Sequence, residues 1–334
     1  MLVRFFIIVK NDPFANDIFF KKPPFAYTVT EVILMIKGSI AAIVTPFLEN
    51  GEIDFHCYGK IIEFHINNNT DGVVVLGTTG EAPTVNDAES AGLVNYAVAI
   101  ADGRIPIIAG CGSNDTARAK KKCIAAREAG ADAILLLTPY YNKTNSEGMI
   151  KHFTECADSV DIPIIIYNVP SRTGCSVTLE QLAILKKHPN IVGIKEASGN
   201  MGFFTRVCAL ADEDFAVYCG CDEFNVPALA AGASGIISVL ANILPRECHE
   251  MVSLMERGDV AHARALQHRY GTLISALFLE VNPIPVKTAM NMLNFDGVGS
   301  IGSFRLPLYE MSAGAREILA REIERLKDDF AKYR

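Results

Sequence analysis

Nine cysteines are scattered through the chain, yet no C-x-x-C pair occurs among them. An odd number at wide spacing signals neither a disulfide framework nor a zinc site, and a reducing cytoplasm is the expected compartment. A basic stripe is also missing. With 38 acidic against 31 basic residues, a net charge of −7 and a pI near 5.6, there is nothing to track a phosphate backbone, so no nucleic-acid partner is expected. No G-x-G-x-x-G fingerprint follows the first strand-like run, which argues against an open dinucleotide-binding sheet. The apolar stretch at 5–9 is too short to cross a membrane, and no membrane association is expected.

What is present describes a globular enzyme-sized chain. Of 334 residues half are hydrophobic and 21% are charged, enough to bury a large core without long disorder. The first 34 residues differ in pattern from everything downstream, and Met35 opens "MIKGSIAAIVTPF" as a natural start. Residues 1–34 therefore read as an extension that is not part of the fold.

From Lys37 onward, Val- and Ile-rich runs at 38–47, 72–76, 105–110, 131–138, 162–168, 191–195, 215–219 and 234–239 alternate with amphipathic stretches. Runs without polar alternation are how strands buried on both faces of a parallel sheet read. One intervening stretch, "DTARAKKKCIAAREA" at 115–129, shows the helical pattern: Asp115 as cap, an Ala-rich body, and Gly130 as terminator. Eight βα units in about 200 residues close more naturally into a barrel than spread into one sheet. The expected fold is an α/β (β/α)8 barrel over 35–256 with a helical appendix at 257–334, where strand-like runs cease.

Active sites of such barrels lie at the C-terminal ends of the strands. Those ends read "GTTGE" at 77–81, "TPYYN" at 138–142, "YNVPSRTG" at 167–174, Lys195 with Glu196, and "GCD" at 220–222. The set holds one lysine in an apolar strand, tyrosine phenols, two adjacent threonines and an arginine, but no histidine and no metal-ligand cluster. Each has a plainer reading alone: a solvated lysine, rim tyrosines, a tight turn, a surface arginine. Their occurrence together on one face raises the chemical reading. A lysine in a low-dielectric barrel mouth has its ammonium destabilised, leaving more amine to attack a ketone. The resulting iminium permits enamine formation and attack on an aldehyde without a metal. Tyr167 is placed to move the protons if Thr78 and a second tyrosine relay them.

In the order and spacing of "GSIAAIVTPF", "GTTGE", "TPYYN", "YNVPSRTG", "GIKEASG", "GASGIISV" and "NPIPVK", the chain from Met35 onward resembles the dihydrodipicolinate synthase and N-acetylneuraminate lyase superfamily, on the synthase side. The resemblance implies a class I aldolase condensing pyruvate with L-aspartate 4-semialdehyde to 4-hydroxy-tetrahydrodipicolinate, with a covalent Schiff base in place of any cofactor. Lys195 would carry the Schiff base, Tyr167 would donate and accept protons, Thr78 would relay them, and Tyr141 would reach into a neighbouring subunit's site. Thr79 and the backbone at Ile237 would hold the pyruvate carboxylate and its surroundings, Gly220 would lie beside the substrate, and Arg172 would clamp the semialdehyde carboxylate. A homotetramer, built as a dimer of dimers, is implied.

Arg172 and "GTTGE" favour the synthases, because sugar-acid lyases of the superfamily typically lack that arginine and read "GSTGE". An aldolase of another aldehyde stays open, as does a non-catalytic binding barrel, although that reading predicts loss of Lys195 or Tyr167. Members inhibited by lysine bind it after the "GTTGE" turn, commonly with histidines and a glutamate. Here Asp87 and Ser90 stand for the histidines and Arg118 for the glutamate, while Asn114 and Tyr140 are retained. Cys221 stands where many members carry an acid, with Asp222 following. A chain beginning at Met35 is expected to fold, as judged by circular dichroism and a cooperative melt; an unfolded product would overturn the reading of residues 1–34.

Overall fold

The computed structural model describes residues 36–295 and 297–333; the reading of residues 1–34 as an extension lies outside them. Eight parallel strands, β1 (Gly38–Ala42), β2 (Gly72–Val75), β3 (Ile107–Gly110), β4 (Ala133–Leu137), β5 (Ile164–Asn168), β6 (Ile191–Glu196), β7 (Ala216–Cys219) and β8 (Gly235–Ser238), close in sequence order into a barrel. Seven lie inside the apolar runs, and β6 extends one residue past its run to Glu196. Around them run α1 (Phe55–Asn67), α2 (Asp87–Ala101), α3 (Thr116–Glu128), α4 (Ser146–Ala157), α5 (Pro170–Thr173), α6 (Leu179–Leu185), α7 (Met201–Cys208), α8 (Asn225–Ala230) and α9 (Pro245–Glu256). Four more helices follow: α10 (Val260–Ala276), α11 (Ile284–Leu293), α12 (Ala313–Arg325) and α13 (Lys327–Phe330).

Strand alternation divides the core in two. One cluster packs between sheet and helices; the other, including Ile40, Val74, Ile108, Ile165, Tyr167 and Ile237, fills the barrel interior. Closure demands close backbone approach where β8 meets β1: a Cβ on Gly235 would stand 2.3 Å from the Gly38 carbonyl oxygen, so only glycine fits there.

Local signals act as the residues suggest. The Asp115 side chain accepts from the Ala117 N–H at 3.1 Å, and Gly130 follows α3 at φ 93°. α2 opens on a capping box between Asn86 and Glu89.

The C-terminal helices are bound into the barrel rather than hung on it. Phe295 stacks on Phe64 of α1 with ring centroids 5.0 Å apart, and the Tyr333 hydroxyl donates to Glu247 of α9 at 2.6 Å. These contacts belong to one compact unit from Leu34 to Arg334.

Candidate active site

The pairing of β5 with β6 sets Tyr167 directly beside Lys195, and that of β6 with β7 sets Lys195 beside Tyr218. Lys195 is 5% exposed, and its Nζ lies 4.5 Å from the centroid of the Tyr167 ring. Among the described residues it pairs with no carboxylate. The face of an aromatic ring offers a buried ammonium some electrostatic compensation, far less than a full ion pair.

Gly220 is glycine for a steric reason. A Cβ there would meet Lys195 Cε at 2.8 Å, Lys195 Cγ at 3.1 Å and the Ala197 Cβ at 2.8 Å. The lysine stem lies across the bare backbone.

Glu196, the acidic neighbour in sequence, is turned to the other face by strand period, and it and Asp222 are engaged elsewhere. Glu196 accepts from Asn168 Nδ2 and from the Ser198 N–H, each at 2.6 Å; burial holds its carboxyl above the usual range, against those hydrogen bonds. Asp222 accepts from the Val239 and Leu240 N–H groups at 2.9 Å each, which fixes the chain leaving β8. Burial also pushes the Cys221 thiol up to about 11, with Asp222 raising it further and Lys195 opposing, so it is a neutral thiol in the barrel mouth.

The turn after β2 carries Thr78 and Thr79. Thr79 is buried, and its hydroxyl accepts from Asn282 Nδ2 at 3.0 Å. The Asn282 carbonyl in turn receives a long hydrogen bond from the Arg172 guanidinium at 3.4 Å, while Asn282 Oδ1 is buried and makes none. Thus "GTTGE", the short helix α5 and the segment before α11 meet at one rim of the barrel.

Of the residues marked by sequence, Lys195, Tyr167 and Gly220 are brought together, Ile237 lines the interior below them, and Thr79 joins Arg172 through Asn282. Tyr141 is not brought in. It is 89% exposed, with a left-handed φ of 68°, and no hydrogen bond links it to Thr78 or Tyr167 among the described residues. Asn282 escaped sequence reasoning although "NPIPVK" contains it, because it ends none of the eight apolar runs. No cluster of three or more His, Cys, Asp or Glu suited to a metal ion occurs among the described residues, and no described helix is long and apolar enough to cross a membrane.

The model of the dihydrodipicolinate synthetase family matches residues 35–326. The chain belongs to that family. It is 46% identical over 300 residues to a 4-hydroxy-tetrahydrodipicolinate synthase of Thermoanaerobacter sp. (strain X514), covering 90% of this chain and 97% of the relative. The crystal structure of dihydrodipicolinate synthase from Aquifex aeolicus superposes with a TM-score of 0.84 at 42% identity, covering 87% of this chain and 98% of that one. That of the enzyme from Cyanidioschyzon merolae with lysine bound gives 0.83 at 34% identity, over 86% and 97%. The family's barrel with its C-terminal helical region is therefore the fold observed here.

Replacing Gly220 by Ala is expected to drive the Lys195 stem off Tyr167 and to lower kcat/KM about 100-fold, the usual cost of misplacing a reacting group by an ångström. Steady-state kinetics beside a thermal melt check this; a stable variant with unchanged kinetics would contradict it.

Proposed function

We propose that this protein is a class I aldolase that condenses pyruvate with L-aspartate 4-semialdehyde to 4-hydroxy-tetrahydrodipicolinate, in lysine and diaminopimelate biosynthesis. The observation that carries the reading is a buried lysine, without a carboxylate partner, against a tyrosine ring at the mouth of this family's barrel. The name of the Thermoanaerobacter relative supports the substrates.

Lys195 attacks C2 of pyruvate as the amine. The carbinolamine loses water to give an iminium, which serves as the electron sink, so the chemistry calls for no cofactor. Loss of a C3 proton yields the enamine, whose C3 attacks the aldehyde carbon, and the new alkoxide takes a proton. The amine of the bound semialdehyde unit then closes on C2 and releases Lys195. Tyr167 is the proton donor and acceptor in these steps.

Thr78 relays its proton, and Thr79 with the backbone at Ile237 holds the pyruvate carboxylate, Gly220 leaving room beside it. Arg172, at the same rim, offers the fork that suits the semialdehyde carboxylate. An aldolase of an aldehyde without a carboxylate would lack a reason for that arginine.

The exposed Tyr141 fits a role outside its own chain. We assign it to the site of a neighbouring subunit in a homotetramer, where burial by the partner offsets the cost of its strained backbone. The working unit is the barrel at 35–256 together with the helices of 257–334, in the cytoplasm, with residues 1–34 dispensable.

Lysine control is expected to be weak. Arg118, paired with Asp87 at 3.7 Å, lines a cavity of about 220 Å³ between α2 and α3 with Ser90, Lys121 and Lys122. Cations there repel the α-amino group of lysine. Activity should persist at physiological lysine; an inhibition constant in that range would overturn this.

Intact mass after incubation with pyruvate and borohydride tests the reaction itself. One reduced pyruvate per chain is expected, abolished in Lys195→Ala, with Tyr167→Phe slowed about 100- to 10,000-fold in turnover. No adduct on the wild-type protein would remove the Schiff-base reading and bring a binding barrel forward.

A further inference from the structure

The turn at 77–81 is held by side chains that arrive from the far end of the chain. Glu81 closes it with a left-handed φ of 56°, its N–H donating to the Thr78 carbonyl at 3.1 Å. Its side chain is 1% exposed, and a carboxylate in such a place requires partners.

The main partner is Lys287 of α11, itself 0% exposed. Its ammonium donates to Glu81 Oε1 at 2.7 Å, to the Thr45 carbonyl at 3.0 Å and to the Ser303 carbonyl at 2.5 Å, between the rings of Phe47 at 4.6 Å and Phe304 at 4.9 Å. Three donors meet three acceptors, so the group is fully satisfied. Burial pulls Lys287 below the ordinary lysine value and Glu81 opposes that pull.

Two further links complete the clamp. The Thr45 hydroxyl donates to the Gly80 carbonyl at 2.7 Å, so the residue that Lys287 grips also grips the turn. The Arg305 N–H donates to Glu81 Oε2 at 3.2 Å, and its guanidinium takes Glu89 of α2 in a fork at 2.6 and 2.8 Å. Five residues before Lys287 and just ahead of α11, Asn282 holds the Thr79 hydroxyl.

A buried ion pair is a poor device for stability alone, since apolar residues of similar shape often serve as well or better. What it supplies is geometry. We propose that Glu81, Lys287 and Asn282 are positioning residues, through which the C-terminal helical region sets the Thr78–Thr79 turn against Lys195 for pyruvate binding. This rests on the Schiff-base reading above.

The pair links the turn to α11 at a sequence separation of 206 residues, Lys287 also holds Thr45 in the segment after β1, and Asn282 acts on the same turn at a separation of 203. Among the described residues neither group makes a hydrogen bond or ion pair with Lys195 or Tyr167, so their effect on the reaction passes through the turn.

The test compares wild type, Glu81→Gln with Lys287→Met in one chain, and Asn282→Ala, each full length. Thermal midpoint, pyruvate KM, kcat and borohydride trapping at graded pyruvate are measured. The double variant removes both charges together, which avoids stranding either one. It should melt cooperatively near wild type and still trap pyruvate, but with half-saturation raised about tenfold or more and kcat lowered about 100-fold. Asn282→Ala should raise the pyruvate KM about tenfold, the loss of one hydrogen bond at the turn, with its thermal midpoint unchanged, whereas a structural role would lower the midpoint and leave KM alone. Wild-type kinetics in a folded double variant would overturn the proposal; should that variant not fold, wild-type KM in Asn282→Ala would do so. Absence of an adduct on the wild-type protein would instead indict the Schiff-base reading itself.

Discussion

Two lysines are buried among the described residues, one in the barrel and one in α11, and the contrast between them organises the site. Lys287 has every donor engaged, by one carboxylate and two carbonyls. Lys195 has a tyrosine face at 4.5 Å and no carboxylate. Burial alone would penalise both charges. Satisfying one completely makes it a fixed structural post, and leaving the other without an anionic partner makes it available for covalent chemistry.

The closed parallel sheet makes that division possible. Register places Tyr167 beside Lys195 and Asn168 beside Glu196, so a two-residue period sends the amine one way and the carboxylate the other. Asn168 and Ser198 then absorb Glu196, and the amides after β8 absorb Asp222. Both carboxylates are thereby kept from quenching the lysine. Gly220 completes the arrangement by giving the lysine stem a surface without a Cβ.

Much of this was legible in the residues. Eight apolar runs gave eight strands because doubly buried parallel strands carry no polar alternation to confuse the reading; the polar residues ending those runs named Lys195 and Tyr167, and the family resemblance added Gly220. The rest depends on distance along the chain. Lys287 and Asn282 lie more than 200 residues from Glu81 and Thr79, and a lysine one turn into a helix reads as solvated whatever it touches. Periodicity reports which face is apolar, and it cannot report that a cation is threaded between two phenylalanine rings. Tyr141 is the converse case: the family resemblance marked it for the site, and within one chain it is exposed, which is why the role proposed for it lies in a neighbouring subunit.

The most direct test of the account is a crystal structure of the protein soaked in pyruvate without borohydride. The account predicts continuous density from Lys195 Nζ to C2 of pyruvate, the Tyr167 hydroxyl within hydrogen-bonding reach of the adduct, and the carboxylate at the Thr78–Thr79 turn with the Lys287 and Glu81 contact unbroken. Pyruvate bound elsewhere, or an unmodified Lys195 beneath a fully occupied pyruvate, would contradict it.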